Sequence, residues 1–252
     1  MKNYSSLALL PLMAFGLALS GCSDSDDEAP SNPVSDNAMS SEMMSSSDSS
    51  TSSSMMMQAS YRVSIMNFSH AQILSPAAVI IGDRSMKLFS IGEPASVALE
   101  MLAEAGMPDD LLAMYADATA MSTGPTMPGM ITSINISAPQ NQHYLTLATM
   151  PVYTNDGIAA VQNIDISHLM AGESKTIMAT VYDAGTEANS EALNTIPGPD
   201  IGGEGYNSSR EGDRNFVAIH PGVVGSAELG SSALNESYRF SEGSFQIKIE
   251  KM

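Results

Sequence analysis

From Tyr61 onward, hydrophobic and polar residues change places with a period of two over short segments, the mark of half-buried strands. Tyr61-Arg62-Val63-Ser64-Ile65-Met66-Asn67-Phe68 puts Tyr, Val, Ile and Asn on one face and Arg, Ser, Met and Phe on the other. This imperfect alternation predicts a strand covered partly on both sides. Further strands are predicted over 78–81, 87–89, 130–136, 143–149, 175–182, 215–220 and 237–251, separated by Gly, Pro, Asn and Asp clusters. Such spacing belongs to an all-β protein, an antiparallel sandwich or barrel. Residues 93–105 and 108–115 depart from it, carrying Ala, Leu and Met at helical spacing with Glu100 and Glu104 on the polar side of the first segment. In the second, Pro108, Asp109 and Asp110 suit a first turn, so two short helices inserted among the strands are expected. No solenoid or propeller repeat is present.

The first 60 residues follow other rules. Lys2 is the one charge in residues 1–21, and the apolar run 7–19 is too short to span a bilayer but fits the core of a secretory signal. It ends in Leu19-Ser20-Gly21-Cys22, which resembles a bacterial lipobox and marks Cys22, the only cysteine of the chain, as a lipid-carrying first residue of the mature protein. Several acyl chains on one residue hold firmly, since each buried methylene contributes about 0.8 kcal/mol. Ser23 after the cysteine, by analogy with bacterial sorting rules, favours the outer membrane. An ordinary signal peptide with an incidental cysteine is the alternative. Residues 22–59 are then a Ser- and Met-rich acidic stretch with no Lys, Arg or aromatic residue, read as a disordered tether with an average span of roughly 30 Å. Its clusters Met43-Met44 and Met55-Met56-Met57 would suit a soft metal such as Cu(I) or an oxidant sink; compositional drift in a spacer explains them more simply. The remaining stretch, 60–252, is the folded domain.

Charge narrows the partners. The net charge of −18 divides into +1 for the leader, −7 for the tether and −12 for the remainder. An excess of this sign repels phosphate backbones and anionic headgroups, so neither nucleic acid nor a polybasic membrane-surface mode is expected, and cations are the favoured small partners. With a single cysteine no disulfide forms within the chain. No Walker loop, no His-Glu-x-x-His and no Gly-x-Ser-x-Gly is present. Gly202-Gly203-Glu204-Gly205 lacks the setting of a dinucleotide loop, and His70, His143, His168 and His220 have no zinc-ligand spacing.

Two acidic loops carry the candidate chemistry. Pro151-Val152-Tyr153-Thr154-Asn155-Asp156-Gly157 follows one predicted strand, and Tyr182-Asp183-Ala184-Gly185-Thr186-Glu187-Ala188-Asn189 leaves another. Loops at one end of a sandwich converge, so Asp156, Asp183 and Glu187 are candidate hard-oxygen ligands for a Ca²⁺ ion, completed by carbonyls and water. On the residues alone a plain turn is the commoner explanation, because Asn-Asp-Gly and Asp-Ala-Gly-Thr are both good turn formers.

Taken together, 61–68, Phe89-Ser90-Ile91-Gly92-Glu93-Pro94-Ala95-Ser96, 150–157, 182–189 with Ile196-Pro197-Gly198-Pro199, and Ala218-Ile219-His220-Pro221-Gly222 resemble the spondin N-terminal domain in its bacterial lipoprotein form, in the family's order over about 60–251. The resemblance implies a β-sandwich related to C2-type modules, a calcium ion held by acidic loops, and roles in adhesion. By position, Asp156 matches the aspartate of the family's first loop, and Asp183 and Glu187 match the two acids of its Asp-Ala-Gly-Thr-Asp motif. Glu187 replaces an aspartate, Gly157 stands where animal members have an aromatic residue, and the animal disulfides are missing. The expected function is thus a non-enzymatic binding or adhesion module of the cell envelope. It would be anchored to the outer membrane at Cys22, organised by structural Ca²⁺, and directed at an unidentified protein or glycan. The alternatives are an envelope hydrolase or metalloenzyme using these acids with His220 as general base, and an inert scaffold.

Overall fold

The computed structural model describes residues 57–209 and 214–252; the expected signal segment 1–21, the anchor Cys22, tether residues 23–56 and the clusters Met43-Met44 and Met55-Met56 lie outside the described residues. The fold is an antiparallel β-sandwich with two short helices. One sheet has four strands, β4 (Ile131–Pro139), β1 (Gln58–Asn67), β10 (Phe245–Lys251) and β7 (Ser174–Met178), in that order. The other has six, in the order β3 (Thr119–Ser122), β2 (Ala78–Gly82), β5 (Tyr144–Thr149), β6 (Gly157–Asp165), β8 (Thr180–Asp183) and β9 (Ala218–Ile219). β1 starts at Gln58, because Gln58 and Ala59 already pair with Pro139 and Ala138. Among the described residues no helix is long and apolar enough to cross a membrane.

Between the sheets lies one core, with Val63 and Ile65 of β1, Val79 and Ile81 of β2, Leu145 and Leu147 of β5 and Ile247 and Ile249 of β10 all buried. On β1 the inward set Tyr61, Val63, Ile65 and Asn67 is buried, while the other face is covered in part, with Ser60, Ser64 and Met66 half-buried and Arg62 and Phe68 exposed. β2 is covered on both faces, as are β5 and the first half of β6. On β2 the alternate residues Ala78 and Ile80 join a second core on the outer side of the six-stranded sheet, under α1 (Val97–Ala105) and α2 (Asp109–Ala113). Leu99 and Leu102 of α1 and Leu111 of α2 supply the helical side of that core. Ser96 caps α1 by accepting the Leu99 N–H at 3.2 Å, and Gly106 stops it at φ +67°, with its N–H on the Leu102 carbonyl at 2.9 Å.

The predicted strand over 175–182 is two strands. At Ala179, whose N–H donates to the Phe245 carbonyl at 2.9 Å, the chain leaves the four-stranded sheet as β7 and enters the other as β8. Residues 87–89 form no strand, though Leu88 and Phe89 bury their side chains against the helices. The predicted strand 215–220 shrinks to β9, and 237–251 to β10 preceded by a 3₁₀ turn, α3 (Glu236–Tyr238), capped by Asn235. Two strands carry no sequence signal. In β6, Gly-Ile-Ala-Ala-Val-Gln-Asn-Ile-Asp has weak strand preference and is held by neighbours on both sides, and β3 is a short edge on β2.

Candidate functional site

Antiparallel pairing of β6 with β8 sets Gly157 opposite Asp183. Asp156, one residue before β6, and Asp183, the last residue of β8, therefore stand side by side at one end of the six-stranded sheet. The following loop folds back onto Asp156. The Ala184 N–H donates to its carbonyl at 3.1 Å, and its Oδ2 accepts the N–H groups of Thr186 at 2.8 Å and Glu187 at 3.1 Å. Asp183 closes its own turn by accepting the Gly185 N–H on Oδ1 at 2.8 Å, and the Asn189 amide donates to its Oδ2. Gly185 is required here. Its φ is +72°, and a Cβ would overlap the Phe216 carbonyl passing over it. Thr154 sets the opposite turn, donating to the Pro151 carbonyl at 2.7 Å and accepting the Gly157 N–H at 3.0 Å.

All three predicted acids are buried, Asp156 completely and Asp183 and Glu187 to within 3 % exposure. Burial, with the field of Asp183 added, pushes the Asp156 carboxyl up to about 7, although the Glu187 and Thr186 amides pull it down. Its Oδ1 is buried with no hydrogen-bond partner. A fourth acid, Glu104 in the last turn of α1, is 1 % exposed, and its field also raises Asp156. The helical pattern placed Glu104 on a polar face. It is covered by a distant segment, with Gly205 lying over Ala105 and the Asn207 N–H reaching Glu104 Oε2 at 3.4 Å. No local signal announces such burial.

The trio is thus gathered at one sheet end through backbone and field. Its carboxylates do not close into a shell: among the described residues no group of three or more His, Cys, Asp or Glu side chains is arranged to hold a metal ion. Like charges keep apart without a cation between them. By type the donors suit a hard cation, since Asp156, Asp183 and Glu187 carry carboxylate oxygens on two loops, and Asp156 Oδ1 is buried without a partner.

Two further polar residues brace the loops. Glu191, at φ +50°, accepts the N–H groups of Val224 at 2.6 Å and Gly225 at 3.0 Å and the Ser232 hydroxyl at 2.5 Å, tying residues 222–235 to the site. Asn155 accepts the Glu191 N–H at 3.2 Å and donates to Thr195 Oγ1 at 2.8 Å. His220, buried beyond β9, feels Asp183 and Glu191, yet burial prevails and holds its ring down to about 4. A cavity lies against His220, and none of the three acids lines it. The joined cleft that an acid-and-histidine hydrolase needs is not formed there.

No family model matches the chain, and no curated protein matches it in sequence.

Proposed function

We propose that this chain is a lipid-anchored binding module of a bacterial cell envelope whose acidic loops are organised by Ca²⁺. The observation carrying this reading is the meeting of Asp156 and Asp183 at the β6–β8 end, with Glu187 tied to Asp156 by its backbone and Asp156 Oδ1 buried without a partner. The order of spondin-like segments and the lipobox-like Leu19-Ser20-Gly21-Cys22 support it. Asp156, Asp183 and Glu187 would hold the ion, which would neutralise their repulsion and stiffen the loops into a preorganised face for a ligand. Nothing in this role needs a reacting group, so the module is proposed as non-enzymatic.

Thermal melting in chelator and in calcium tests the proposal. An ion bound only by the folded state stabilises it by about 2.7 kcal/mol at a hundredfold excess over its Kd, a rise of roughly 5–10 °C for a domain this size. Asp183→Asn should abolish the rise. A melt that is the same in chelator and in millimolar calcium removes the metal from the proposal.

A further inference from the structure

The core of this domain is built mainly from Ile, Leu, Val and Ala, and methionine is almost absent from it. Among the described residues nine of thirteen methionines are exposed, against four of twenty-nine leucines and isoleucines. Met150, at 1 % exposure, is the one buried methionine among them. Methionine is ordinarily among the most buried residue types, and Leu-to-Met exchanges in a core cost little. A drift of composition would therefore have put thioethers inside as readily as outside. Their segregation to the surface calls for another cause.

A single docking patch does not account for them. Met178 stands on β7, an edge of the four-stranded sheet, and Met121 on β3, an edge of the six-stranded one. Met114 follows α2, and Met170 opens a turn in which its carbonyl accepts the Glu173 N–H at 2.9 Å. Met127 and Met130 bracket the turn Pro128-Gly129, where Gly129 has φ +71° and the Met130 N–H donates to the Met127 carbonyl at 3.0 Å. The sulfurs are dispersed over both sheets, a helix end and two turns. What they share is access to small solutes.

The chain has no Trp and its single Cys is Cys22, so thioether is the only sulfur in residues 57–252. Two-electron oxidants convert thioethers to sulfoxides. In a core the new polar group would lack partners, whereas at an exposed position water solvates it and the fold is spared. A net charge of −18 repels anionic oxidants and admits a neutral one. We propose that the exposed methionines are a sacrificial scavenger of neutral hypohalous acids such as hypochlorous acid. In each event a sulfur lone pair attacks the chlorine, and the O–Cl bond breaks to release hydroxide. Water then displaces chloride from the chlorosulfonium and supplies the sulfoxide oxygen. The sulfur loses two electrons, the chlorine is reduced to chloride, and one net proton goes to solvent. This role needs neither the calcium ion nor a ligand face, so it stands apart from the reading above.

Titrating the full-length chain with hypochlorous acid in mildly acidic buffer, followed by peptide mass mapping and thermal melting, tests it. The nine exposed positions should each gain one oxygen before Met150 reacts, and the melting temperature should move by less than about 2 °C. Protection is read from N-acetyltryptophanamide added as a bystander, whose fluorescence the oxidant bleaches and which the Trp-free chain does not obscure. The wild type should delay bleaching by nine more equivalents of oxidant per chain than a variant carrying Met→Gln at the nine exposed positions. Pre-oxidised wild type, which carries no substitution, should likewise protect less than the fresh chain. Reaction of Met150 alongside the exposed positions, a larger fall in the melt before they are consumed, or full protection by the variant or by the pre-oxidised chain overturns the proposal.

Discussion

Replacing Asp156 by Asn measures how strongly the fold opposes a charge at the centre of the acidic loops. The carboxyl titrates near 3.8 in an unfolded chain and is pushed up to about 7 in the fold by burial and Asp183. For an acid raised in this way, the native state holds a proton that the unfolded state has lost. The stability it contributes is therefore complete below about 3.8 and is lost as pH rises through about 7. Integrated from pH 5 to pH 8, that loss is roughly 2–3 kcal/mol. His220 runs the other way. Its folded value of about 4 lies below its ordinary 6.5, so its contribution is present above 6.5 and lost as pH falls toward 4. The two slopes oppose each other in the wild type and mask one another between about pH 4 and 6.5. Subtracting the wild-type curve from that of Asp156→Asn removes the His220 part and leaves that of Asp156. Urea denaturation in chelator should therefore show the variant gaining roughly 2–3 kcal/mol on the wild type between pH 5 and pH 8. Calcium at pH 8 should reverse the gain, because only the wild type offers a charged Asp156 to the ion. A difference that stays flat across this window would refute the buried, charge-opposed Asp156 on which the site is built.

Glu191→Ala strips the acceptor from two backbone N–H groups and the Ser232 hydroxyl, and should lower stability by about 2–4 kcal/mol, with faster proteolysis within 222–235. Gly185→Ala forces a positive φ and an overlap with Phe216; a cost above about 1 kcal/mol is expected by urea denaturation, together with a smaller calcium-induced rise in melting temperature. The loss of that rise in Asp183→Asn, read by the same melts, separates ligation from loop geometry, because the substitution leaves Gly185 in place.

The sequence carried the class of the fold in its short apolar segments: β1, β4, β5 and β10 fall where the inward positions are mostly apolar, β2 on a continuous apolar run, and α1 and α2 on the Ala-, Leu- and Met-rich stretches. It also marked Asp156, Asp183 and Glu187, because acids clustered in turns after apolar runs are visible without coordinates. What it could not show depends on distant neighbours. β6 is a strand through its pairing with β5 and β8, and its own residues prefer no such state. The single run 175–182 divides between two sheets at Ala179, whose N–H bonds Phe245 at the start of β10, sixty-six positions away. Glu104 looked solvated from the helical period and is buried because the segment around Gly205 lies over it. Local pattern records which side of a strand or helix avoids water; which charges end up sealed together, and how far they repel, is settled only when remote loops close over them and exclude the solvent that would have screened them.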